Sequence, residues 1–213
     1  MADQGKRSYT SDLRTAQASR TRAQIVAAAA ALFIEHGYAA TTIEAIAGAA
    51  GVSRKTVFAS AGGKAELIRL AYDHAIVGDA EPVPLRDRPT VQALEAEPDA
   101  ARLLAGFAEL VTDMQGRIAG LHVALAAAAE ADAETRSTFD ELEQQRLTAM
   151  RRPATILSRR GALRRGLTIN TAADILWLHN DPMLYHQLVH KRQWRPAQFQ
   201  DWLTLALQTQ LLK

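Results

Sequence analysis

The stretch Thr41–Leu67 constrains the fold more than any other part of the chain. Apolar residues at helical spacing accompany a Thr41-x-x-Glu44 capping box, which predicts a short helix beginning near Thr41. Gly51 lies where this helix has to end, and Ser53 is positioned to cap a second short helix. Two short helices separated by a glycine-containing turn form a helix-turn-helix.

The sizes of three residues in this stretch favour the same interpretation. Close crossing of two helices requires a small residue on the first helix, a glycine in the turn and a branched apolar residue on the second. Ala47, Gly51 and Val57 meet these requirements in order. The second helix opens with Ser53–Thr56, Ser-Arg-Lys-Thr, which presents donors from an exposed N-terminal turn. We interpret it as a recognition helix for the DNA major groove; the alternative is an ordinary helical corner with two solvated basic residues.

A set of residues in and around this pattern resembles the N-terminal domain of TetR-type transcriptional regulators. The resemblance covers roughly residues 20 to 70 and rests on Arg22, Ile25, Ala28, Leu32, Phe33, Gly37, Tyr38, Thr41, Thr42, Ile43, Ile46, Ala47, Ala50, Gly51, Val52, Ser53, Thr56, Lys64 and Leu67. Two positions depart from the family pattern. Phe58 stands where the family usually has tyrosine, and Ala61 stands where it usually has a buried phenylalanine.

The resemblance implies which side chains contact DNA. It implies base-edge contacts from Arg54 and Lys55, with Phe58 against a thymine methyl group. Ser53 is implied mainly to cap the recognition helix. The phosphate contacts that the resemblance implies come from Arg22, Thr42, Thr56 and Lys64.

The charge distribution fits a protein that binds DNA at one end. The 213 residues carry a formal net charge of +2, but the first 70 residues hold nine Lys/Arg against five Asp/Glu. The remaining residues are slightly acidic, so a basic N-terminal part is joined to a nearly neutral C-terminal part. Chance clustering of arginines is the alternative for so small an excess.

Composition excludes several classes of site. The chain has no cysteine, which excludes disulfides, thiol nucleophiles and thiolate metal sites. The first 20 residues are polar and do not resemble a signal peptide. The longest apolar run, Ile25–Ile34, is shorter than the roughly 20 residues that a membrane span needs. We therefore expect a soluble, cytoplasmic protein.

The common catalytic motifs are missing from the sequence. No Gly-rich phosphate loop, G-x-S-x-G elbow or H-E-x-x-H motif occurs. His186 and His190 are four residues apart on a predicted helix, a spacing that can hold a metal, but no third ligand is evident and surface histidines are the alternative. We therefore expect no catalytic residues, no cofactor and no metal, and we do not expect an enzyme.

Helical periodicity runs through the rest of the chain without strand-like alternation. The predicted elements are a first helix from near Ser19 or Thr21 to His36, a helix over 64–77, a loop over 78–89, a short helix over 90–95, two core helices joined near Gly116, a helix over 134–160 kinked at Pro153, and helices opening at Asn170 or Thr171, at Asp181 and near Pro196. We expect an all-α fold: an N-terminal three-helix helix-turn-helix DNA-binding domain followed by a C-terminal helical ligand-binding and dimerisation domain.

Three segments follow from these elements. Residues 1–18 are interpreted as a disordered basic arm, which either lies along a DNA minor groove or is a solvated tail. Residues 19–70 are the predicted helix-turn-helix DNA-binding domain. Residues 71–213 are the predicted helical effector-binding and dimerisation domain. Seven arginines lie within residues 146–165. We interpret them either as a site for an acidic ligand or for flanking DNA, or as a solvated helix face and turn.

The resemblance implies a homodimeric transcriptional regulator, most often a repressor, that is released from a palindromic operator by a small-molecule effector. A single recognition helix contacts few base pairs, so two copies are needed for specificity. The expected interface joins the helix over 134–160 to the terminal helix, with side chains from Phe139, Leu142, Phe199, Leu203 and Leu207.

The effector pocket is expected along the apolar stripe of the C-terminal domain. Its candidate lining residues are Phe107, Met114, Leu121, His122, Phe139 and Trp177, each of which plain core packing would also explain. An alternative function is a ligand-independent DNA-binding regulator whose helical domain binds a protein partner.

Overall fold

The computed structural model describes residues 4–78 and 83–213, with side chains from residue 15 onward. Its described elements are helices, together with one isolated antiparallel bridge between Leu163 and Leu212. The expected all-α fold is therefore confirmed. The chain divides into two units, Met1–His74 and Ala75–Lys213, which we call the head and the body. The sequence had suggested a boundary four residues earlier, after residue 70.

Four helices account for the head and the start of the body. They are α1 (Gln4–Ala40), α2 (Ile43–Ala50), α3 (Arg54–Ala61) and α4 (Lys64–Val77). Helices α2 and α3 are eight residues each, as the helix-turn-helix pattern predicts. The last residues of α4 already belong to the body.

Helix α1 is longer than the sequence suggested. The part of the predicted disordered arm over residues 4–18 is helical and continues α1, whereas residues 1–3 lie outside the described residues. This correction has a local reason, because residues 6–18 contain no glycine or proline to end a helix. Gly37 interrupts the helix with a φ of 78°.

The core side of α1 is apolar. Ile25, Ala29 and Phe33 are fully buried, and Phe33 stacks on Tyr38 with ring centroids 5.5 Å apart. By length and composition alone, Thr15–Ala40 is the one helix among the described residues that could cross a membrane. This helix buries Ile25, Ala29 and Phe33 within the head, as a core helix does.

Local capping signals fix the helix-turn-helix. Thr42, rather than Thr41, is the N-cap of α2 and accepts a hydrogen bond from the Ala45 amide. Thr41 is instead buried, because its hydroxyl donates to carbonyls at the end of α1. Gly51 ends α2 in the left-handed conformation at φ 66°, and Ser53 caps α3.

The body contains the remaining described elements. They are a 3₁₀ turn at Leu85–Asp87, α5 (Pro89–Ala96), α6 (Ala100–Ala129), α7 (Ala133–Arg159), α8 (Ile169–His179), α9 (Pro182–Tyr185) with a π-helical continuation over His186–Lys191, and α10 (Pro196–Leu211). The predicted helix starts at Asp181-Pro182 and Pro196 agree with this structure. The cap of α8 is Thr168, two residues before the earlier of the two predicted caps.

Helix α6 is a single helix, and the predicted break near Gly116 is wrong. A glycine costs a helix interior about 1 kcal/mol relative to alanine. Apolar residues on both sides of this position are buried, among them Val111, Ile118 and Leu125, and their burial outweighs that cost. Helix α7 passes through Pro153 as one helix, which agrees with the predicted helix over 134–160.

Helix α10 packs its apolar stripe into the core of the body. Phe199, Leu203 and Leu207 are fully buried, in one cluster with residues of α6, α7 and α8. The sequence had assigned these three side chains to a dimer interface. That assignment is corrected, because they are enclosed within a single chain and are not at its surface.

Candidate DNA-binding site and ligand cavity

The N-terminal turn and one face of α3 are open to solvent. Arg54 and Lys55 are exposed, and Phe58 on the same helix is 50% exposed, which is unusual for so large an apolar side chain. Val57 and Ala61 are buried on the opposite side. Helix α3 is thus fixed to the head by one face and presents basic and aromatic side chains on the other.

Ser53 and Thr56 organise the start of α3. The Ser53 hydroxyl accepts a hydrogen bond from the Thr56 amide at 3.1 Å, and the two hydroxyl oxygens are 2.8 Å apart. The predicted role of Ser53 as a cap is therefore confirmed. Because the remaining first-turn amides of a helix have no internal partner, this end favours anions such as phosphate.

Arg54 is engaged by a carboxylate of the neighbouring helix. Its Nη1 atom lies 2.7 Å from Oε1 of Glu44, and both side chains are more than half exposed. An exposed pair of this kind is worth only about 0–1 kcal/mol. In the free protein, the Arg54 guanidinium is thus held beside α2 by a contact that is easily broken.

Lys64 has a structural role that the sequence did not reveal. Its ammonium donates to the carbonyls of Tyr38 at 2.7 Å and Thr41 at 3.1 Å, and lies 3.4 Å from that of Ala39. It also lies 4.3 Å from the centre of the Tyr38 ring. The first residue of α4 therefore binds the end of α1 and the segment leading to α2, whereas the resemblance had implied a phosphate contact.

Other implied phosphate contacts lie at the surface of the head. Arg22 and Thr42 are exposed. The Arg69 hydrogen bond and the positive charges of Arg69 and Arg22 lower the pKa of Glu66, against an opposing effect of burial. Arg22 is therefore close enough to α4 to interact electrostatically with it, while remaining open to solvent.

Ala61 occupies a buried position at the end of α3, where the family usually has phenylalanine. Gly62 follows with φ 71° and donates its amide to the Phe58 carbonyl. A side chain at Gly62 would be strained by this backbone conformation. The turn between α3 and α4 is therefore built around small residues rather than around an aromatic side chain.

A cavity of about 660 Å³ lies within the body. One wall is formed by the segment from Pro84 through α5, which contributes Leu85, Val91 and Leu94. Helix α6 contributes Leu103, Phe107 and Leu110 to a second wall. This volume is within the roughly 300–1,000 Å³ of typical sites for drug-sized ligands.

The third wall of the cavity is the face of α7 between Gln144 and Ile156. Its apolar members are Ala149, Met150, Pro153 and Ile156, and its polar members are Gln144, Gln145, Thr148 and Arg152. The Thr148 hydroxyl donates to the Gln144 carbonyl at 2.8 Å. The lining is therefore mainly apolar; four of its polar side chains lie on α7, and Arg86 and Glu95 lie on the first wall.

Arg152 of α7 and Arg160, the residue that caps the C-terminal end of α7, hold the end of α5 beside this cavity. Arg152 and Glu95 form a two-point ion pair, with Nε to Oε1 and Nη2 to Oε2 both 2.5 Å. Arg160 donates to the Glu95 carbonyl at 2.7 Å and also to the Glu97 carbonyl. Two of the clustered arginines are thus used inside the protein, where they bind the C-terminal end of a helix.

The predicted pocket residues are divided between this cavity and other parts of the body. Phe107 lines the cavity. Its described lining does not include Met114, Leu121, His122, Phe139 or Trp177. Sequence reasoning missed α5 and the α7 face, because nothing in a linear pattern indicates which helices enclose a space.

His122 and Phe139 form a separate contact between α6 and α7. Their ring centroids are 5.4 Å apart, and His122 is buried. Burial lowers the pKa of His122; Glu143 and Asp181 raise it, and Arg146 lowers it. His122 is therefore favoured in its neutral form.

Trp177 lies against an arginine of α7. The guanidinium carbon of Arg146 is 4.6 Å from the centre of the Trp177 ring, and its Nη1 donates to the Trp177 carbonyl at 2.5 Å. Arg146 also pairs with Glu143 through Nη2 at 2.5 Å. These contacts explain a third clustered arginine as a link between α7 and α8.

His186 and His190 lie next to each other, with ring centroids 5.3 Å apart. Among the described residues, no group of three or more His, Asp or Glu side chains is arranged to hold a metal ion. Burial lowers the pKa of His186, and the positive charges of His190 and Lys191 act in the same direction.

Comparison with known proteins links the head to one family. Residues 25–71 match the family described as bacterial regulatory proteins, tetR family. The match covers the core of α1, the helix-turn-helix and the first half of α4. No curated protein sequence matches the chain.

Solved structures share the fold over nearly the whole chain. NalD, the secondary repressor of the MexAB-OprM multidrug efflux pump in Pseudomonas aeruginosa, is 23% identical with a TM-score of 0.65, and the match covers 91% of this chain and 97% of NalD. SmeT, the repressor of the SmeDEF multidrug efflux pump of Stenotrophomonas maltophilia, was solved with triclosan; it is 20% identical with a TM-score of 0.66, covering 91% and 92% of the two chains.

A third relative in fold is the transcriptional regulator FadR from Bacillus subtilis, solved with stearoyl-CoA. It is 17% identical with a TM-score of 0.65, and the match covers 86% of this chain and 96% of FadR. The family match lies on the residues that form the exposed helix-turn-helix, and the body has the fold of regulators solved with and without ligands. Residues 25–71 therefore form a tetR-family DNA-binding domain, and the chain as a whole shares the fold of these solved regulators.

Proposed function

We propose that this protein is a cytoplasmic, homodimeric transcriptional repressor that binds a palindromic DNA operator and is released from it by a small-molecule effector. The observation that carries the proposal is the exposed N-terminal turn of α3 in a tetR-family domain, with Arg54 and Lys55 open to solvent. A helix of this size and exposure suits insertion into a major groove.

Within the head, the proposed base contacts come from Arg54 and Lys55. Arginine and lysine both donate to the acceptors of guanine in the major groove. The exposed ring of Phe58 suits contact with a thymine methyl group. Arg22, Thr42 and Thr56 are proposed to contact phosphates, since all three are in or beside the exposed part of the helix-turn-helix or α1.

Dimerisation is required because one eight-residue helix reads too few base pairs for a unique site. Two heads spaced about one DNA turn, roughly 34–36 Å, would read an inverted repeat. Leu178 of α8 and Leu205 of α10 are 55% and 65% exposed in the single chain and offer apolar side chains for association. Phe139 and Leu142 of α7 are only partly buried and remain candidates.

The cavity supports the effector part of the proposal. Helix α6 lines it through Leu103, Phe107 and Leu110. Further along the same helix, Arg117 donates to the Ala75 carbonyl at 2.7 Å and the Ile76 carbonyl at 3.2 Å. These carbonyls are at the C-terminal end of α4. Movement of α6 around a ligand would therefore be passed to α4, whose residues up to His74 belong to the head.

A ligand changes operator occupancy only if it binds the released state better than the DNA-bound state. A preference of about 3 kcal/mol corresponds to a change of more than 100-fold in the equilibrium between the states. Among proteins with this fold, SmeT was solved with triclosan and FadR with stearoyl-CoA. We propose that the body of this chain likewise takes a small molecule.

Selection from a random-sequence DNA library tests the proposal. The purified protein should enrich an inverted repeat, and sedimentation of the complex should give two chains per duplex or a multiple of two. Enrichment of no sequence would contradict DNA recognition, and one chain on a single half-site would contradict the dimer. If the operator is bound but no small molecule stabilises the protein, the ligand-independent regulator with a protein partner becomes the better description.

A further inference from the structure

The charges on the cavity wall are already balanced within the protein. Arg152 and Glu95 neutralise each other through two hydrogen bonds. The remaining lining cation, Arg86, is 73% exposed to solvent and has Asp87 3.6 Å away, so water and a carboxylate already surround its charge. The rest of the lining is apolar or uncharged. A charged ligand would therefore find no free partner among these groups.

The Glu95–Arg152 pair lies in the cavity wall and is less exposed to solvent than an ordinary surface pair, because of Glu95. The Glu95 side chain is only 21% exposed, although that of Arg152 is 57% exposed. Glu95 belongs to α5 and Arg152 to α7, so the pair joins two different walls. A ligand that competes for one member would leave the other partly buried and unpaired, which is costly.

The α7 wall also offers a hydrogen-bond acceptor to the ligand, which disfavours a carboxylate. Pro153 has no N–H, so the Ala149 carbonyl lacks the donor that a helix normally provides four residues later. Ala149 and Pro153 both line the cavity, next to Thr148. A hydroxyl group could donate to such a carbonyl, whereas a carboxylate could not.

On the basis of the effector function proposed above, we infer that the cavity takes uncharged, mainly apolar molecules and that the Glu95–Arg152 ion pair determines this selectivity. The pair acts as an internal counter-ion for each partner. Because the two charges already neutralise each other, an anion gains little by binding Arg152 and a cation gains little by binding Glu95. An apolar chain with a hydroxyl group needs no counter-ion and gains from the apolar walls.

Three molecules with the same chain test this inference directly: 1-decanol, kept below its solubility limit, and decanoate and decylammonium, each kept below the concentration at which it forms micelles. Calorimetric titration into the full-length protein at neutral pH measures their dissociation constants. We expect decanol to bind at least tenfold more tightly than either charged molecule. Equal affinities, tighter binding of a charged molecule, or no binding of decanol would overturn the inference.

Two matched variants test whether the ion pair is the cause. Glu95→Gln leaves Arg152 without its counter-ion and should improve decanoate binding at least tenfold, with little change for decanol. Arg152→Gln should instead improve binding of decylammonium. Arg160 continues to hold the α5 carbonyls in both variants, so the wall itself should stay in position. Unchanged selectivity in both variants would overturn the assignment to this pair.

A cavity-filling variant identifies the site. Ala149→Trp adds a large side chain on the α7 wall, and it should abolish decanol binding while the far-ultraviolet circular dichroism stays unchanged. Persistent binding would locate decanol elsewhere and overturn the inference. Release of DNA is measured separately on the selected operator. If decanol binds with the expected selectivity but does not release DNA, the effector function fails while the ligand class stands.

Discussion

Arg54 of the recognition helix and Glu44 of the preceding helix form an ion pair, with 2.7 Å between Nη1 and Oε1. A proposed base-reading side chain is thus held by an acid of the same domain before DNA arrives. Binding must exchange this carboxylate for a base edge or a phosphate. Because both side chains are largely exposed, the exchange costs no more than about 1 kcal/mol.

Removing this carboxylate should strengthen DNA binding. We expect Glu44→Gln to raise affinity for any duplex by up to about fivefold at low salt, because Arg54 is released and a negative charge near the phosphates is lost. Fluorescence anisotropy measures the effect. Glu35→Gln makes the same charge change on an exposed residue of α1 that does not pair with Arg54. An equal gain in both variants would assign the effect to net charge alone.

Lys64 is expected to stabilise the head rather than to read DNA. Lys64→Met removes the donor to the carbonyls of Tyr38 and Thr41, and should lower the local free energy of unfolding by about 1–3 kcal/mol. Amide hydrogen exchange in α2 and α3 measures this loss. Lys55→Met is the matched change on the exposed helix, and it should weaken DNA binding without altering exchange. Unchanged exchange in Lys64→Met would contradict the structural role.

Two leucines of α10 should respond in opposite ways to a negative charge. Leu203 is fully buried, so Leu203→Glu should destabilise the body by more than about 3 kcal/mol. Leu205 is 65% exposed, so Leu205→Glu should leave the fold intact and weaken the dimer. Circular dichroism and sedimentation separate the two outcomes. A folded, dimeric and fully active Leu205→Glu protein would show that this face is not the interface.

A side chain at position 106 is expected to disturb the packing of α5 on α6, because Leu94 of α5 lies against Gly106. A Cβ atom there would be 2.6 Å from Leu94 Cδ1, whereas a Cβ at Gly116 on the same helix would meet Tyr185 Oη at an ordinary 3.4 Å. Gly116→Ala should therefore stabilise the protein by about 0.5–1 kcal/mol through helix propensity. Gly106→Ala should gain less or lose stability, because Leu94 must move. Equal gains in urea unfolding would contradict this packing.

Acid should destabilise the body partly through His122. Burial lowers its pKa in the folded protein below the ordinary 6.5, so the unfolded chain binds the proton more readily. The stability that the neutral ring contributes is complete above that value and decreases as the pH falls below it. His122→Gln should lose less stability than the wild type between about pH 7.5 and 5.5. His74→Gln is the exposed control, and equal losses in all three proteins would contradict the assignment.

Residues whose effect is local were predicted well from the sequence. Gly51 and Ser53 act within one helix turn, and the structure has both as helix caps. Thr41 and Thr42 show the limit of such signals. Either threonine fits a cap by sequence, but only the folded head reveals that Thr41 is turned towards the end of α1.

The predictions that failed concern features that depend on contacts between distant parts of the chain. Gly116 looked like a break until burial on both sides of α6 was known. The role of Lys64 required the end of α1, which is more than 20 residues away in sequence. The cavity could not be predicted either, because its α5 and α7 walls are distant in sequence: Glu95 and Arg152, which join them, are 57 residues apart. Periodicity identified the apolar residues but not which of them enclose a space.

The most direct test of the central claim is equilibrium binding of the wild type and of Arg54→Ala to the selected operator and to a duplex of the same composition in shuffled order. If α3 reads base edges through Arg54, the variant should lose about 5- to 150-fold on the operator, the equivalent of roughly 1–3 kcal/mol, and much less on the shuffled duplex. An equal loss on both duplexes would show that Arg54 contributes charge only, and would contradict its role as a reader of sequence.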